Sequence, residues 1–529
     1  MKVRTDIVKM YKEIHGWVGI VSGLALFIAF YAGAITMFEE PLQRWASPRS
    51  ELAEPVPIER APELAAAVLA EYPEAARSYD IHLQTSPENP ARMSWTERAG
   101  DHAAPQIHYA ALAPDGSVQV EQQGPSPVAQ FVDVLHQQVG LPFEHEIAMP
   151  IMGAIALLYF IALISGIIVL LPSLVADFFA LRIGKNVKRM WLDVHNVLGI
   201  LSVPFHIVMA LTAVVFAFHD QFYDLQDATY MDSAPPVEAA APPPAVARQV
   251  LPPADLALRA EEQAPGFTAR MVNYHREPDG STHVRVAGTD PRYGHRAPTY
   301  GMAELDAYTG ELTEVDYMPG KQDAWGATIT SFFALHFGNF GGAGVRWAYF
   351  LLGLAGAFLF YTGNLLWIES RRKRERKKGR VTQTRATRVL AALTVGVPLG
   401  CVAGISATIA AAKPLGLAAD AGVHGAIYYA TFLAFTGWAL LRGGPRAAVE
   451  LLPVTACAFL LVPIASLLFG EGFTDTVWLV DLVSIMGCAA ALTMWHSVRR
   501  RAEALPRDSV WSLQAEPMSP VRSAEAETG

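Results

Sequence analysis

Cysteine is scarce in this chain: Cys401, Cys457 and Cys488 are the three cysteines among 529 residues. All three lie in apolar stretches, which excludes a disulfide framework in the polar parts of the chain. Their spacing also excludes an iron–sulfur cluster and a c-type haem, which need cysteines close together in sequence. The sequence has no P-loop, no H-E-x-x-H and no G-x-G-x-x-G in a strand–helix context. The chain by itself is therefore not predicted to bind a nicotinamide or ATP.

Basic residues are few in two long polar segments. Residues 39–146 contain no lysine and 6 arginines against 17 acidic residues, and residues 219–345 contain 8 basic residues against 17 acidic ones. Together the two segments hold 34 of the 50 acidic residues of the chain. Such acidic surfaces repel a nucleic-acid backbone, so nucleic acid is not an expected partner.

Long apolar runs, by contrast, are abundant, and 52% of the residues are hydrophobic. A helix needs about 20 apolar residues to cross a bilayer. Eight runs meet this requirement, at approximately 16–38, 147–171, 193–218, 346–368, 388–411, 421–441, 447–469 and 476–496. The first run is too long for the core of a signal peptide, so a cleaved leader is not predicted. The composition predicts an α-helical polytopic membrane protein with about eight transmembrane helices.

The distribution of lysine and arginine predicts the orientation of these helices, because basic loops stay in the cytoplasm. Basic residues precede the first run, follow the fourth and the eighth, and occur between the second and third and between the sixth and seventh. With both termini in the cytoplasm, all five groups lie on the cytoplasmic side and both acidic segments lie outside. The run Arg371–Arg380 is interpreted as a stop-transfer signal, although it could also bind anionic lipid or an acidic redox partner.

The third apolar run carries two histidines, His195 and His206, eleven residues apart. At about 100° per residue, eleven residues bring both imidazoles to the same helix face, about 16 Å apart along the axis. Two histidines stacked in this way suit axial ligation of two haems in one membrane. Hydrogen bonding to neighbouring helices is the alternative explanation.

An internal repeat extends this pattern over residues 1–370. His15 and His195 each open the pattern His-x-x-x-Gly-Ile, 180 residues apart, and His136 and His336 each follow a leucine, 200 residues apart. The repeat therefore predicts the same order of features in each half. This order is a histidine near the cytoplasmic face, a helix, an outer module, a histidine near the outer face and a second helix. The proline- and alanine-rich stretch Ala234–Ala247 is interpreted as a flexible linker that accounts for most of the difference in offset.

The two outer segments predict two small α+β modules. The first has a helix at 61–71, short strands around 77–86, 91–98 and 106–112, and a hairpin turn at Pro114-Asp-Gly. The second has a helix at 253–263, strands near 268–275 and 281–288, and a strand–turn–strand unit at 300–312. The predicted organisation is a first transmembrane helix (1–45), a first module (46–130), two transmembrane helices with a cytoplasmic loop (131–218), a second module (219–325), a fourth transmembrane helix (326–370), a basic cytoplasmic loop (371–387), four further transmembrane helices (388–497) and a disordered cytoplasmic tail (498–529).

The ordered set of His-x-x-x-Gly motifs, Leu-His motifs and outer turns resembles the PepSY-associated transmembrane family. That family includes iron-regulated inner-membrane proteins and ferric-siderophore reductases. The resemblance covers about 370 of the 529 residues, and it implies PepSY-like periplasmic modules and a location in the bacterial inner membrane. It also implies a haem-b core that carries electrons outward to a periplasmic ferric chelate. The four additional helices depart from the smallest members of the family.

The repeat symmetry assigns the candidate haem ligands. His15 and His195, at equivalent positions, are expected to bind one haem iron. His136 and His336 are equivalent as well, but His206 competes with them for the second haem, and one of these three could instead face the substrate or relay protons. The histidines of the modules are expected at the surface, and His424 and three other histidines near helix ends are expected to be bystanders.

The resulting hypothesis is a transmembrane oxidoreductase that holds two haem b groups. Its expected partners are the lipid bilayer, a periplasmic ferric chelate and an electron donor that is either a quinol or a cytoplasmic reductase. Two alternatives belong to other classes: a non-redox membrane protein whose modules bind a peptide or chelate or regulate a protease, and a siderophore permease.

Overall fold

The computed structural model divides the chain into two compact units, which are described separately. A helical unit comprises Met1–Ala46, Ser126–Phe218 and Tyr349–Gly529, and a sheet unit comprises Ser47–Pro125 and His219–Ala348. The residues that the structure describes are 4–48, 50–86, 89–97, 106–122, 126–172, 174, 187–219, 221, 249–277, 280–296, 301–379, 383–416, 419–470, 478–505 and 509–514. The predicted linker Ala234–Ala247, His102 and the last fifteen residues of the predicted tail, 515–529, lie outside them.

The helical unit is built from long apolar helices. Its described helices are α1 (Thr5–Thr36), α2 (Glu39–Ala46), α4 (Val128–Gln137), α5 (His145–Leu170), α6 (Val187–Ala217), α9 (Gly342–Lys377, from Tyr349 onward), α10 (Arg385–Leu415), α11 (Ala421–Arg442), α12 (Gly444–Phe469) and α13 (Trp478–Ala504). The sheet unit contains helices α3 (Ala61–Glu71), α7 (Pro253–Gln263) and α8 (Ala324–Phe337).

Among the residues that the structure describes, seven helices are long and apolar enough to cross a membrane, so the chain is a multi-pass membrane protein. They are Thr5–Thr36, His145–Leu170, Lys188–Ala217, Gly342–Lys377, Arg385–Leu415, Gly444–Phe469 and Trp478–Ala504. The predicted span at 421–441 forms α11, which has 22 residues but is not among the seven. The count of eight therefore stays a prediction.

Helix α1 packs against neighbouring helices of the repeat region and also against the additional helices. Phe27 and Ile28 share a buried cluster with Phe131 of α4 and Cys401 of α10. On another face, Leu26 packs with Tyr159 of α5 and with Met209 and Ala210 of α6. Small residues permit this close approach: Gly353 of α9, for example, lies directly against Ala34 of α1.

The sheet unit confirms the predicted secondary structure of the two outer segments closely. Helix α3 spans Ala61–Glu71 and helix α7 spans Pro253–Gln263, and α8 follows at Ala324–Phe337. The strands are β1 (Ser78–His82), β2 (Met93–Glu97), β3 (Gln106–Leu112), β4 (Val118–Gln122), β5 (Thr268–Arg276), β6 (Thr282–Thr289), β7 (Gly301–Asp306) and β8 (Leu312–Glu314). The apolar faces of helices α3 and α7 pack with the sheet in one core.

The strands of both segments form one antiparallel sheet with the order β4-β3-β2-β1-β5-β6-β7-β8. Strands β1 and β5 join the two halves, with Tyr79 opposite Tyr274 and Asp80 opposite Asn273. The two tyrosine rings stack 5.0 Å apart, and the Asn273 amide donates a hydrogen bond of 2.8 Å to Asp80. This pairing covers one edge of each half, and an exposed edge is a site of unwanted strand pairing. The order of elements is the same in both halves, whereas the predicted two-fold repeat of residues 1–370 stays a prediction.

The two predicted turns form through local hydrogen bonds. Between β3 and β4, Asp115 accepts hydrogen bonds from the backbone N–H and the hydroxyl of Ser117, and Gly116 has a φ of 87°. Between β7 and β8, the Asp306 carboxylate accepts backbone hydrogen bonds from Tyr308 and Thr309. Aspartate is favoured at such turns because its carboxylate satisfies nearby backbone N–H groups.

Two expectations need correction. His82 was expected at the surface, but it is 7% exposed and hydrogen-bonds with Ser94 at 2.8 Å, on the face of the sheet opposite the core residue Ile81. The tail was expected to be disordered from residue 498, yet α13 continues to Ala504 and Val510 is buried against Ile368 and Ala391. The burial of an apolar side chain stabilises this part of the tail.

Candidate functional site

The structure brings two of the predicted histidines together in the helical unit. His15 on α1 and His195 on α6 have ring centroids 6.2 Å apart, and their planes cross at 68°. Two imidazoles that bind one metal from opposite sides have centroids about 6 Å apart, because each metal–nitrogen bond is about 2 Å long. The separation of the two rings is therefore that of a pair of axial ligands, which favours the predicted pairing.

The Nδ1 atoms of both rings are engaged by neighbouring helices. His15 Nδ1 lies 2.9 Å from the carbonyl oxygen of Ala162 on α5. His195 Nδ1 lies 3.2 Å from the carbonyl oxygen of Leu359 and 3.0 Å from the hydroxyl of Thr362, both on α9. A carbonyl oxygen only accepts hydrogen bonds, so Nδ1 carries the proton in each ring. The unprotonated nitrogen is then Nε2, the form that a metal-binding histidine requires.

A glycine lies beside each of these two rings. A Cβ atom on Gly166 of α5 would come within 3.0 Å of His15 Cε1, and one on Gly363 of α9 would come within 3.6 Å of His195 Cε1. Leu359 follows Ala162 by 197 residues, and Gly363 follows Gly166 by the same 197 residues. Each histidine thus meets a carbonyl and, one turn further along the same helix, a glycine.

His206 forms a second candidate site on α6, where it is 2% exposed. Its Nδ1 lies 2.6 Å from the hydroxyl of Tyr159 on α5, and the same hydroxyl lies 3.2 Å from the His206 carbonyl oxygen. The hydroxyl can donate to the carbonyl and accept from Nδ1, which again leaves Nε2 unprotonated. Among the residues that the structure describes, His206 Nε2 is buried without a hydrogen-bond partner. Such a group is uncommon and needs an explanation, and a metal ligand is one.

Aromatic rings surround His206. Phe30 of α1 lies 5.5 Å and Phe360 of α9 lies 6.3 Å from its ring, measured between centroids. A Cβ atom on Gly356 of α9 would lie 3.2 Å from His206 Cε1. This apolar surrounding excludes water and suits a flat hydrophobic cofactor.

His136, on α4, contacts α1 at Ala29, the residue before Phe30. Its Nδ1 lies 2.8 Å from the carbonyl oxygen of Ala29, and a Cβ atom on Gly33 would lie 2.7 Å from the same nitrogen. Because Ala29 precedes Phe30, the histidines His136 and His206 adjoin consecutive residues of α1. His336 lies in the last turn of α8 and belongs to the sheet unit. Its predicted pairing with His136 stays a prediction.

The family model described as the PepSY-associated TM region matches residues 12–370 of the chain. The chain belongs to the PepSY-associated transmembrane family. The predicted resemblance is thereby confirmed, and no curated protein matches the chain. All five candidate histidines of this PepSY-associated protein lie within the matched residues, whereas α10 to α13 lie beyond them.

The donor set of the PepSY-associated protein suits a metal that brings most of its own ligands. Within the described part of the chain, no group of three or more His, Cys, Asp or Glu side chains is arranged to hold a bare metal ion. The imidazoles that lie close together form a pair. A haem iron takes most of its ligands from the macrocycle and up to two axial ligands from the protein. The residues present therefore fit haem b.

Sequence reasoning did not find the glycines beside the histidines. The glycines that lie close to His15 and His195 in sequence are Gly16, Gly19, Gly23 and Gly199. Among the described residues, nothing lies within 4 Å of a Cβ atom placed on Gly16 or Gly19. A Cβ on Gly23 would approach Asn364, and one on Gly199 would approach Leu359. The glycines that contact the imidazoles are on other helices, and only the repeat offset of 197 residues could have indicated two of them.

Proposed function

We propose that this PepSY-associated protein is a transmembrane haem-b oxidoreductase that passes electrons from the cytoplasm or the quinol pool to a periplasmic ferric chelate. The observation that carries the proposal is the hydrogen-bonding pattern of the histidines. Three of the five candidates, His15, His195 and His206, turn Nδ1 toward an oxygen atom, which leaves Nε2 available to a metal. Imidazoles that were buried without a shared role would have no reason to share this orientation.

The proposed assignment follows the positions of these residues. His15 and His195 hold one haem, and His206 and His136 are assigned to the second, while His336 remains a candidate histidine of the sheet unit. Haem b, when bound, supplies a one-electron carrier inside the bilayer. The carbonyls of Ala162 and Leu359 orient the ligands, and Phe30 and Phe360 keep water away from His206.

The proposed orientation places both termini in the cytoplasm and the sheet unit in the periplasm of a bacterium. It is supported by the distribution of charge, since the described end of α9 carries Arg371, Arg374 and Lys377 in its last turns. The acceptor, a ferric siderophore or another ferric chelate, would meet the sheet unit. A substrate of this kind places the protein in iron acquisition.

The first experiment is an absorption spectrum of the purified protein before and after reduction with dithionite. The proposal expects a Soret band, a sharp α-band on reduction, and two haem b groups per chain. A colourless protein with intact helical structure would contradict the proposal and favour a non-redox binding protein or a permease.

A second experiment tests electron transfer itself. The protein is placed in liposomes, and a ferric chelate outside should be reduced only when a donor reaches the cytoplasmic face. The His206→Ala and His336→Ala variants are compared at equal content of the haem held by His15 and His195. Undiminished reduction by both variants would mean that electrons do not leave through these histidines.

A further inference from the structure

His424 is a buried imidazole outside the region that the family model matches. It lies in the first turn of α11 and is 0% exposed. Within the described residues, neither Nδ1 nor Nε2 has a hydrogen-bond partner. A buried polar atom without a partner destabilises the folded chain, and an ionisable residue among the helices of a membrane protein is a functional candidate by default. The prediction that His424 is a bystander does not account for this placement.

A second polar group lies one turn further along the same face of α11. Tyr428 is 0% exposed, and within the described residues its hydroxyl is buried without a hydrogen-bond partner. The hydroxyl can therefore donate a hydrogen bond to, or accept one from, a ligand. The two side chains thus present an imidazole and a phenol to one buried region.

Aromatic rings form the walls of this region. The Phe131 ring of α4 lies 6.5 Å from His424 and 5.8 Å from Tyr428, measured between centroids. Phe432 stacks on Tyr428 at 5.7 Å with an interplanar angle of 16°. A Cβ atom on Gly425 would lie 3.8 Å from the Phe131 ring, an ordinary van der Waals distance, so this part of α11 packs against Phe131.

These groups select a flat aromatic ligand with oxygen atoms on its rim. The aromatic walls bind a ring face, and the imidazole and hydroxyl can each hydrogen-bond one rim oxygen. A metal ion is disfavoured, since no group of three ligating side chains occurs among the described residues. Asp420, the nearby carboxylate, already accepts a hydrogen bond from the Val423 backbone N–H at 2.8 Å. Val423, next to His424, is 40% exposed, so a lipid-soluble ligand can reach this helix from the bilayer.

We propose that His424 and Tyr428 bind the head group of a membrane quinol or quinone. The proposal rests on the proposed function only for the use of the ligand as an electron donor, because head-group binding itself requires no haem. Phe131, which contacts both residues, lies on the same helix as His136 and only five residues before it. This spacing corresponds to a rise of about 7.5 Å along α4. The additional helices α10 and α11 would thereby bring a donor close to a candidate haem ligand.

The test is a binding titration of the detergent-purified full-length protein with decylubiquinone and with menadione, followed by quenching of tryptophan fluorescence. Saturable binding of either compound by the wild type is expected. His424→Ala should weaken it at least about tenfold, which corresponds to about 1.4 kcal/mol. Tyr428→Phe, which keeps the ring and removes the hydroxyl, should weaken it to a smaller extent. The matched control is His145→Ala, because His145 is an exposed histidine at the start of α5, and its affinity should be unchanged.

Unchanged affinity in the His424→Ala and Tyr428→Phe variants, or no saturable binding by the wild type, would overturn the proposal. If His424→Ala does not fold, as judged by size-exclusion chromatography, His424→Gln and Tyr428→Phe decide the question. Haem content is measured in the same samples. A haem-free protein that binds the quinone contradicts the proposed function alone, and a haem-containing protein that does not bind it contradicts this inference alone.

Discussion

Ala162 and Leu359 have the same position relative to a histidine on a neighbouring helix. The Ala162 carbonyl oxygen lies 2.9 Å from His15 Nδ1, and the Leu359 carbonyl oxygen lies 3.2 Å from His195 Nδ1. The two contacts orient the rings of a pair whose centroids are 6.2 Å apart. Backbone carbonyls cannot be removed by a side-chain substitution, so this orientation tolerates changes in the side chains of the two residues. Its effect is testable through the histidines and glycines around it.

Loss of either of the two paired histidines should have the same effect on haem binding. We expect His15→Ala and His195→Ala each to lose the same haem, seen as the same missing component of the reduced spectrum, because the proposed function assigns both rings to one iron. The haem at His206 should remain. His145→Ala serves as a control at an exposed histidine. Full haem content with an unchanged spectrum in either variant would show that the pair is assigned wrongly.

Haem binding should require Gly166, the glycine beside His15 in the structure, but not Gly19, which is nearer to His15 in sequence. In Gly166→Ala the new methyl group would lie 3.0 Å from His15 Cε1, and such overpacking costs about 1–3 kcal/mol. We expect this variant to bind less of the haem held by His15. Gly19→Ala is the matched control, since among described residues nothing lies within 4 Å of the added atom. Equal haem content in both variants would argue against a tight fit at His15.

Tyr159 should affect the haem at His206 without being a ligand. Tyr159→Phe removes the hydroxyl that lies 2.6 Å from His206 Nδ1, and loss of such a partner weakens metal binding by about 10–100-fold. Transfer of haem to apomyoglobin measures this loss. Tyr361→Phe, another tyrosine of the same unit, should retain its haem. If the two variants release haem at the same rate, the hydrogen bond does not hold His206 in its ligand geometry.

The sheet unit should lose stability in mild acid because of His82. Burial, together with the nearby Arg92 cation, lowers the pKa of His82 from 6.5 to about 4. Between these values the unfolded chain binds a proton that the folded unit does not, so stability is complete above pH 6.5 and falls as the pH decreases toward 4. From pH 7 to pH 5 the expected loss is on the order of 2 kcal/mol.

Hydrogen–deuterium exchange of residues 78–97, corrected for the pH dependence of the intrinsic exchange rate, measures this loss. His82→Gln is the comparison, because an amide can still hydrogen-bond with Ser94 and does not titrate. Its stability should change less between pH 7 and pH 5 than that of the wild type. Equal pH dependence in the two proteins would assign the loss to other groups.

A buried hydrogen-bond chain should hold α2 against α12 and α13. The Trp45 indole donates to the Ser466 hydroxyl at 2.8 Å, and that hydroxyl donates to Asp481 at 2.7 Å. Ser466→Ala leaves both end groups without this partner, so we expect a loss of about 1–3 kcal/mol in the free energy of unfolding. Ser406→Ala is the control, because the Ser406 hydroxyl bonds only the Val402 carbonyl of its own helix among the described contacts. Similar thermal unfolding of the two variants would contradict the prediction.

Local patterns predicted the elements and the candidate histidines well. Helices α3 and α7 begin and end where proline and the apolar spacing indicated, and both turns use the predicted aspartate and glycine. The repeat offset also paired His15 with His195 before any geometry was known. These features depend on residues close together in sequence, or on a motif that occurs twice, and both can be detected by inspection.

Contacts between distant residues could not be predicted in this way. The approach of Gly166 to His15, the hydroxyl of Tyr159 beside His206, the burial of His82 and the unpartnered imidazole of His424 each depend on how two or more elements pack. The pairing of β1 with β5 depends likewise on two segments that are almost 200 residues apart in sequence.

The sequence by itself determined that the chain is a membrane protein of this family, which stretches are helices and strands, and which histidines are candidates. It did so because hydrophobic length, turn chemistry and repeated motifs are local properties. Only the tertiary structure decided which helix supplies the hydrogen-bonding oxygen for His15, His195 and His206 and which nitrogen of each ring is left unprotonated. That choice depends on the close packing of separate helices, where a single methyl group or hydroxyl decides whether an imidazole can take its position.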